Sequence, residues 1–241
     1  MEKNKLEKFI KKYYLKGTCE SVLFVVENDK LRTKGAAADN NAFCDIQVDD
    51  NLGFENGSYA VYNTQKLSSL LDVVGDSLDI SVVTEKNEPV ALTFSDGDTD
   101  VTYALADEQV IPKVPDLKKL PPFDISIVVD EQFINTYVKA KGALEVETFA
   151  VSSNGKKAEA VVTLGHGNKN TNKVKMKATT EKAGQLDDIE FSATYLREIL
   201  LANKDAENGK FEVSSKGLAR LTFEVDGIKS TYYLIEKATE E

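Results

Sequence analysis

The sequence has no tryptophan, a single histidine, two methionines, two cysteines and five prolines among 241 residues. Two cysteines, Cys19 and Cys44, are too few for a disulfide scaffold and lack the Cys/His spacing of a zinc module. Both lie in apolar or strand-like contexts and are read as reduced, buried thiols. The lone histidine, His166, sits in "GHGNKN", a Gly/Asn stretch expected to be a loop tip, with no nucleophile beside it. There is no phosphate-cradling glycine loop, and the adjacent carboxylates Asp49-Asp50 and Asp187-Asp188 stand in turn-like contexts where solvated side chains are the rule. The expectation is therefore a protein that is not an enzyme, with no catalytic residues, no metal and no cofactor. Nor is there an apolar run of about 18 residues that would span a bilayer. The start, "MEKNKLEKFIKK", is basic without the apolar stretch of a signal peptide. A cytoplasmic protein without a membrane partner is expected.

What is present is a composition of 41% apolar and 29% charged residues, enough for a core, and a length that suits two medium domains. The net charge is −10, which would ordinarily argue against a nucleic-acid partner. The distribution of charge matters more than its sum.

The chain repeats itself. "TFSDGDTDVTYAL" at Thr93–Leu105 returns as "TFEVDGIKSTYYL" at Thr222–Leu234, 129 positions later. The same offset pairs Leu67 with Leu196, Leu70 with Ile199, Leu71 with Leu200 and Leu92 with Leu221. "FIKKY" at Phe9–Tyr13 matches "FINTY" at Phe133–Tyr137 with an offset of 124, so a five-residue length change lies between. So long a period indicates two similar modules rather than a solenoid.

Helical spacing of Leu6, Phe9, Ile10 and Tyr13, and of Phe133, Ile134, Tyr137 and Val138, predicts a first helix in each module. Leu67, Leu70, Leu71 and Val74, and Leu196, Ile199 and Leu200, predict a second. Asn63, Asp130 and Ser192 stand where N-caps belong. The remainder alternates as strands, in "DVTYAL", "KVKMKAT" and "FEVSS" for example. Asn56-Gly57, Asp96-Gly97, Asn154-Gly155, Asn208-Gly209 and Asp226-Gly227 are read as hairpin turns. Four of the five prolines fall in "ALADEQVIPKVPDLKKLPPFD", an extended connector. The expected division is a first module at 1–107, a connector at 108–122 and a second module at 123–241.

These features resemble the two-domain DNA polymerase sliding clamps, the group that includes the proliferating cell nuclear antigen and the clamps of tailed phages. The resemblance is carried by the duplication, the helix count, the connector and the end of the chain, where "FSATYLREILLA" and "LARLTFEVDGIKSTYYLIEKATEE" look like the helix, hairpin and final strand of such clamps. It implies an α+β DNA-clamp fold with two helices packed on antiparallel sheets in each module. It further implies a homotrimer forming a pseudo-sixfold ring around double-stranded DNA without sequence specificity. Such a protein is a processivity factor that tethers the DNA polymerase and is opened by a clamp loader. The divergent first half favours a bacteriophage source, hence a host cytoplasm. The alternative is a non-ring scaffold or a monomeric polymerase accessory protein of the same fold.

Residues 2–16 hold six lysines against two glutamates, a local charge of +4 in an otherwise acidic chain. Lys5, Lys8 and Lys12 are expected opposite the apolar face, with Lys16 just beyond. Such a face also occurs as an ordinary solvated helix surface. The resemblance implies that it faces DNA phosphates together with Lys66, Lys139, Lys141, Arg197 and Lys204. Lys173, Lys175 and Lys177 share one face of a strand, a pattern that also protects sheet edges from aggregation. By resemblance, this strand and Val101–Ala106, with Val101, Tyr103 and Leu105, form the subunit interface. Asp98, Asp100, Asp107 and Glu108 would supply opposite charge to the lysines. The family's partner-peptide pocket maps onto Val110, Ile111 and Pro112 in the connector and Tyr233 and Ile235 near the end, although Tyr233 reads equally well as a core strand residue.

Overall fold

The computed structural model describes residues 2–115, 117, 119–155, 159–165 and 172–237; the loop assignment of His166 falls outside them. Two compact units are formed. The first comprises Met1–Ala36, Cys44–Pro115 and Gly227–Lys229, and the second Ala37–Phe43, Asp116–Asp226 and Ser230–Glu241. Each is an α+β unit with two helices and antiparallel strands, as the sequence implies.

The first unit opens with α1 (Lys3–Tyr14), followed by β1 (Val22–Glu27), β2 (Lys30–Ala36), β3 (Ala42–Val48), β4 (Gly57–Val61) and α2 (Thr64–Leu71). It continues through β5 (Asp79–Glu85), β6 (Glu88–Ser95) and β7 (Asp100–Ala104). The strand order is β3-β2-β1-β4 in one sheet and β5-β6-β7 in another. Leu6, Phe9, Ile10 and Tyr13 all point into the core from α1. There Phe9 and Tyr13 meet the Phe24 ring edge-on, with centroids 5.4 and 5.6 Å away, and Phe54 closes the cluster at 6.0 Å from Phe24. Edge-to-face packing of this kind adds about 0.5–1.5 kcal/mol per pair beyond area burial.

The second unit contains β8 (Ile125–Val129), α3 (Glu131–Leu144), β9 (Thr148–Asn154), β10 (Glu159–Leu164), β11 (Val174–Ala183) and β12 (Gln185–Ser192). Then come α4 (Ala193–Ala202), β13 (Gly209–Ser214), β14 (Leu218–Val225) and β15 (Ile228–Ile235). Its strands run in the order β12-β9-β10-β11-β8-β13-β14-β15. Here Tyr137 packs edge-on to Phe149 at 5.5 Å, and Phe149 contacts Phe211 at 6.2 Å.

The three expected N-caps are formed. Asn63 Oδ1 accepts from Lys66 N at 2.6 Å, Asp130 Oδ1 from Phe133 N at 2.7 Å, and Ser192 Oγ from Tyr195 N at 3.4 Å. Each satisfies an amide that the first helical turn leaves open. The repeat extends to the polar contacts that tie first helix to second. Tyr13 Oη lies 3.2 Å from Thr64 Oγ1, and Tyr137 Oη donates to Ala193 O at 3.3 Å. Thr64 and Ala193 are equivalent under the 129-residue offset. Burial raises both tyrosine pKa values well above the usual phenol, which keeps the hydroxyls protonated.

Two of the expected hairpin turns are not hairpins. Gly57 begins β4, whose partner is β1 rather than β3, and Gly209 begins β13 directly after the α4 region. Gly209 serves a different need: a Cβ there would collide with the Phe223 ring on the paired strand β14. Conversely, Asn28-Asp29 and Lys86-Asn87 turn the β1–β2 and β5–β6 hairpins with both residues at positive φ, and neither pair contains the glycine by which the other turns were read. Cys19 and Cys44 are free and buried with their sulfurs 3.9 Å apart. Gly35 packs so closely on both that a Cβ would stand 2.8 Å from that of Cys19.

Candidate nucleic-acid and partner interfaces

On α1, about 100° per residue separates successive side chains. The four core residues therefore place Lys8 and Lys11 opposite themselves and leave Lys5 and Lys12 on the flanks. Lys5, Lys11 and Lys16 are exposed and Lys8 is half-buried, whereas Lys12 is only 4% exposed. Lys12 is thus not part of the exposed face expected from the sequence, because its flank is covered by the fold. Lys11 belongs to that face although it was not among the expected residues; the same helical spacing identifies it. Lys16 follows the helix in a left-handed conformation, φ 54°. Lys3 acts structurally, since its ammonium donates to Val74 O at 2.8 Å and Leu71 O at 3.3 Å and so caps the end of α2.

The other helices present less exposed positive charge. Lys66 is exposed on α2. On α3, Lys139 is exposed and Lys141 half-buried, with Glu131 and Glu145 at the two ends. Arg197 on α4 pairs directly with its neighbour Glu198, a buried carboxylate. Lys204, just past α4, is exposed beside the equally exposed Asp205.

Two strand edges matter next. β7 pairs only with β6 among the described residues. The side chains of Val101 and Tyr103 point inward and are buried, and Tyr103 Oη accepts from Asn63 N at 3.0 Å and donates to Asn63 O at 3.2 Å. These two are core side chains rather than interface side chains, since alternation along β7 sends Thr102 and Ala104 outward instead. The half-buried Leu105 extends the pairing through its amide, which donates to Val90 O at 2.9 Å. Asp98, Asp100, Asp107 and Glu108 are all exposed or half-exposed around this strand.

β11 shows the expected alternation: Lys173, just before the strand, and Lys175 and Lys177 within it are exposed, while Met176 and Ala178 are buried. Residues 174–179 pair with β10, and β8 takes over at Thr180, so one edge of 174–179 has no strand partner among the described residues. Lys177 also reaches Glu159 at 3.7 Å, with both side chains largely in solvent.

In the connector, Asp107 caps a 3-10 turn at Glu108–Val110, accepting from Gln109 N at 2.8 Å. Val110 is 54% exposed, Ile111 buried and Pro112 exposed. Ile111 and Pro112 line a cavity of about 700 Å³ in the first unit, together with Leu23, Val25 and Val114. Tyr233 and Ile235 are half-buried on β15. Among the described residues no group of three His, Cys, Asp or Glu side chains could hold a metal ion. No helix among them is long and apolar enough to cross a membrane.

No protein-family model matches the sequence, and no curated protein matches it either. Solved structures do. The chain superposes on the Proliferating Cellular Nuclear Antigen of Entamoeba histolytica with a TM-score of 0.73 at 14% identity, covering 98% of this chain and 96% of that one. The chain has the sliding-clamp fold. It matches A. fulgidus PCNA, in a structure with the C-terminal region of FEN-1 bound, with a TM-score of 0.76 at 16% identity and coverage of 100% and 98%. It also matches a structure of the PCNA2-PCNA3 complex from Sulfolobus tokodaii with a TM-score of 0.74 at 12% identity, covering 98% of each chain. At these identities the clamp architecture is retained while most individual side chains differ.

Proposed function

We propose that the protein is a sliding clamp, a homotrimeric ring that encircles duplex DNA and tethers a DNA polymerase, loaded by a clamp loader. The observation that carries this reading is the placement of charge on the clamp fold: in an acidic chain, residues 2–16 hold six lysines against two glutamates, and Lys5, Lys11 and Lys16 among them are exposed. Contacts from Lys5, Lys8, Lys11 and Lys16, with Lys66, Lys139, Lys141 and Lys204 in support, would go to phosphates and carry no sequence information. Sliding needs such contacts. The acidic remainder would repel DNA from other surfaces.

Ring closure would use β7 of one subunit and the 174–179 stretch of the next, a head-to-tail contact that closes when the rotation per subunit is right. The acids around β7 and the lysines of β11 favour that pairing and its register, although each exposed ion pair contributes only about 0–1 kcal/mol. Backbone pairing supplies the rest. Partner capture would use the connector, where Val110 is exposed; the A. fulgidus structure, with the C-terminal region of FEN-1 bound to its PCNA, supports partner capture by this fold.

Light scattering coupled to size-exclusion chromatography tests the ring. Three copies of the 26.5 kDa chain give about 80 kDa, and this species should remain on nicked circular DNA but slip from linear DNA. A monomer at every concentration would remove the ring and leave a monomeric accessory protein of the same fold.

A further inference from the structure

The duplication is incomplete at one strand. In the second unit β8 lies between β11 and β13, pairs antiparallel with both, and so joins that unit's strands into one sheet. The offset of 124 that equates the first helices maps β8 onto residues 1–5, "MEKNK", a polar stretch that enters α1 at Lys3. The first unit has no counterpart of β8, and its strands fall into two separate sheets. There β5 is the equivalent of β13, since Ile80–Thr84 and Gly209–Val213 correspond under the 129-residue offset. β13 pairs on both sides, with β14 and with β8. β5 pairs with β6 alone, and its second edge has no strand partner among the described residues. Glu2 comes nearest to filling the place, in a single antiparallel bridge to Ser77 just before β5.

The side chains of β5 register the loss. Phe211 and Val213 of β13 are wholly buried, whereas their counterparts are a half-buried Val82 and an exposed Thr84. Val83, on the other face, is 42% exposed. Ile80–Thr84 carries no charge and is β-branched except at Ser81, so the middle of this edge lacks the charges that ordinarily protect an open strand. Charge stands at its two ends instead: Asp76, Asp79, Glu85 and Glu88, all exposed, against Lys86. None of these four carboxylates forms an ion pair among the described residues. A second copy of the chain does not suit such an edge, because antiparallel pairing of β5 with itself about Val82 sets Asp79 against Glu85, like charges directly opposite. The second unit shows what does suit it. β8 is a strand of five residues, Ile125–Val129, whose Ile125, Ile127 and Val129 are wholly buried beside β13.

We propose that the open edge of β5 docks an extended segment of a partner protein, about five residues of alternating apolar side chains flanked by lysine or arginine, pairing antiparallel as β8 does in the second unit. Its apolar side chains cover Ile80 and Val82, and its cationic flanks face Asp79 and Glu85. The bulge between Val83 and Thr84 confines regular pairing to Asp79–Val83. The inference goes beyond the clamp reading and leaves β7, the opposite edge of the same small sheet, free for ring closure.

Fluorescence anisotropy on the full chain tests it with labelled synthetic peptides built on the β8 sequence: KKISIVVKK, EEISIVVEE, and KKISIVVKK N-methylated along its core, which keeps the side chains but removes the amide donors. The first should bind at least about tenfold more tightly than either of the others, and weaken as salt is raised from about 50 to 300 mM. Asp79→Lys with Glu85→Lys, both at exposed positions, should reverse the preference between the lysine- and glutamate-flanked peptides. Amide hydrogen exchange locates the contact independently of any variant: saturating KKISIVVKK should slow exchange in Asp79–Val83 and leave β7 unchanged. No binding of KKISIVVKK, equal binding of EEISIVVEE or of the N-methylated peptide, or protection that spares β5 would overturn the proposal. So would self-association through β5 that excludes the peptide. An intact 80 kDa ring that binds no peptide removes only this site, whereas a monomer that still discriminates the peptides removes only the ring.

Discussion

Two copies of one module have kept their interior and parted at their surfaces. In the first, Phe9, Tyr13, Phe24 and Phe54 form a ring cluster; in the second, Tyr137, Phe149, Phe191 and Phe211 do the same work beneath the equivalent helix. Tyr13 and Tyr137 even touch equivalent positions, Thr64 and Ala193. Outside the core, α1 presents Lys5, Lys8 and Lys11 where α3 offers Lys139 and Lys141 between two glutamates. Tyr103 and Tyr232 are also equivalent in sequence, yet Tyr103 bonds to the backbone of Asn63 whereas Tyr232 accepts from Asn203 Nδ2 at 2.9 Å. Packing constrains a duplicated core through many simultaneous contacts, while exposed positions are free to specialise. The functional asymmetry of a duplicated protein is therefore to be sought on its helix surfaces and strand edges.

The largest expected effect probes the shared interior. Phe24→Ala and Phe149→Ala each remove a wholly buried ring from the centre of its cluster and should destabilise by about 3–5 kcal/mol in urea unfolding. A loss under about 1 kcal/mol in one variant, with the full loss in the other, would break the equivalence of the two cores.

The second effect probes the divergent surface. Replacing Lys5, Lys11 and Lys16 by glutamine should lower the slope of log K against log salt for DNA binding by about three. The pair Lys139→Gln and Lys141→Gln should lower it by about two at most, and Lys12→Gln should leave it nearly unchanged while reducing stability. A larger effect from the α3 pair than from the α1 set would invert the comparison.

The smallest effect is on acid stability. Asp96 is held below the usual carboxylate pKa by the amides of Gly75, Thr99 and Asp98, and Asp124 by the amide of Ser215. Carboxylates depressed on folding stabilise above their unfolded pKa of about 4, and that contribution is lost as pH falls through the folded value. Asp96→Asn and Asp124→Asn should therefore each flatten the fall in melting temperature below about pH 4. Unchanged acid profiles in both would show that these aspartates contribute nothing to it.

Much of this protein was legible from its sequence because the signals are local. Helix positions followed from apolar residues three and four apart, and the caps at Asn63, Asp130 and Ser192 from their place just ahead of them. The duplication was written in the residues themselves, and the clamp resemblance followed from it. The strand lysines of β11 were placed correctly because alternation needs no knowledge of neighbours. Other features depend on what covers a surface. Lys12 is buried, and Tyr103 is a core residue, because of the elements packed over them. Gly209 answers to a ring on the next strand, and the Asn28-Asp29 turn to the twist of the hairpin it closes. The cavity beneath the connector joins residues 23–34 to residues 108–114, which only folding brings together. Sequence periodicity alone determined the elements, the repeat and the site of the basic helix, since these arise within a few residues of chain. Tertiary structure decided which lysines remain exposed, which edges lack a partner and where a cavity opens, since burial is a property of contacts between segments distant in the chain.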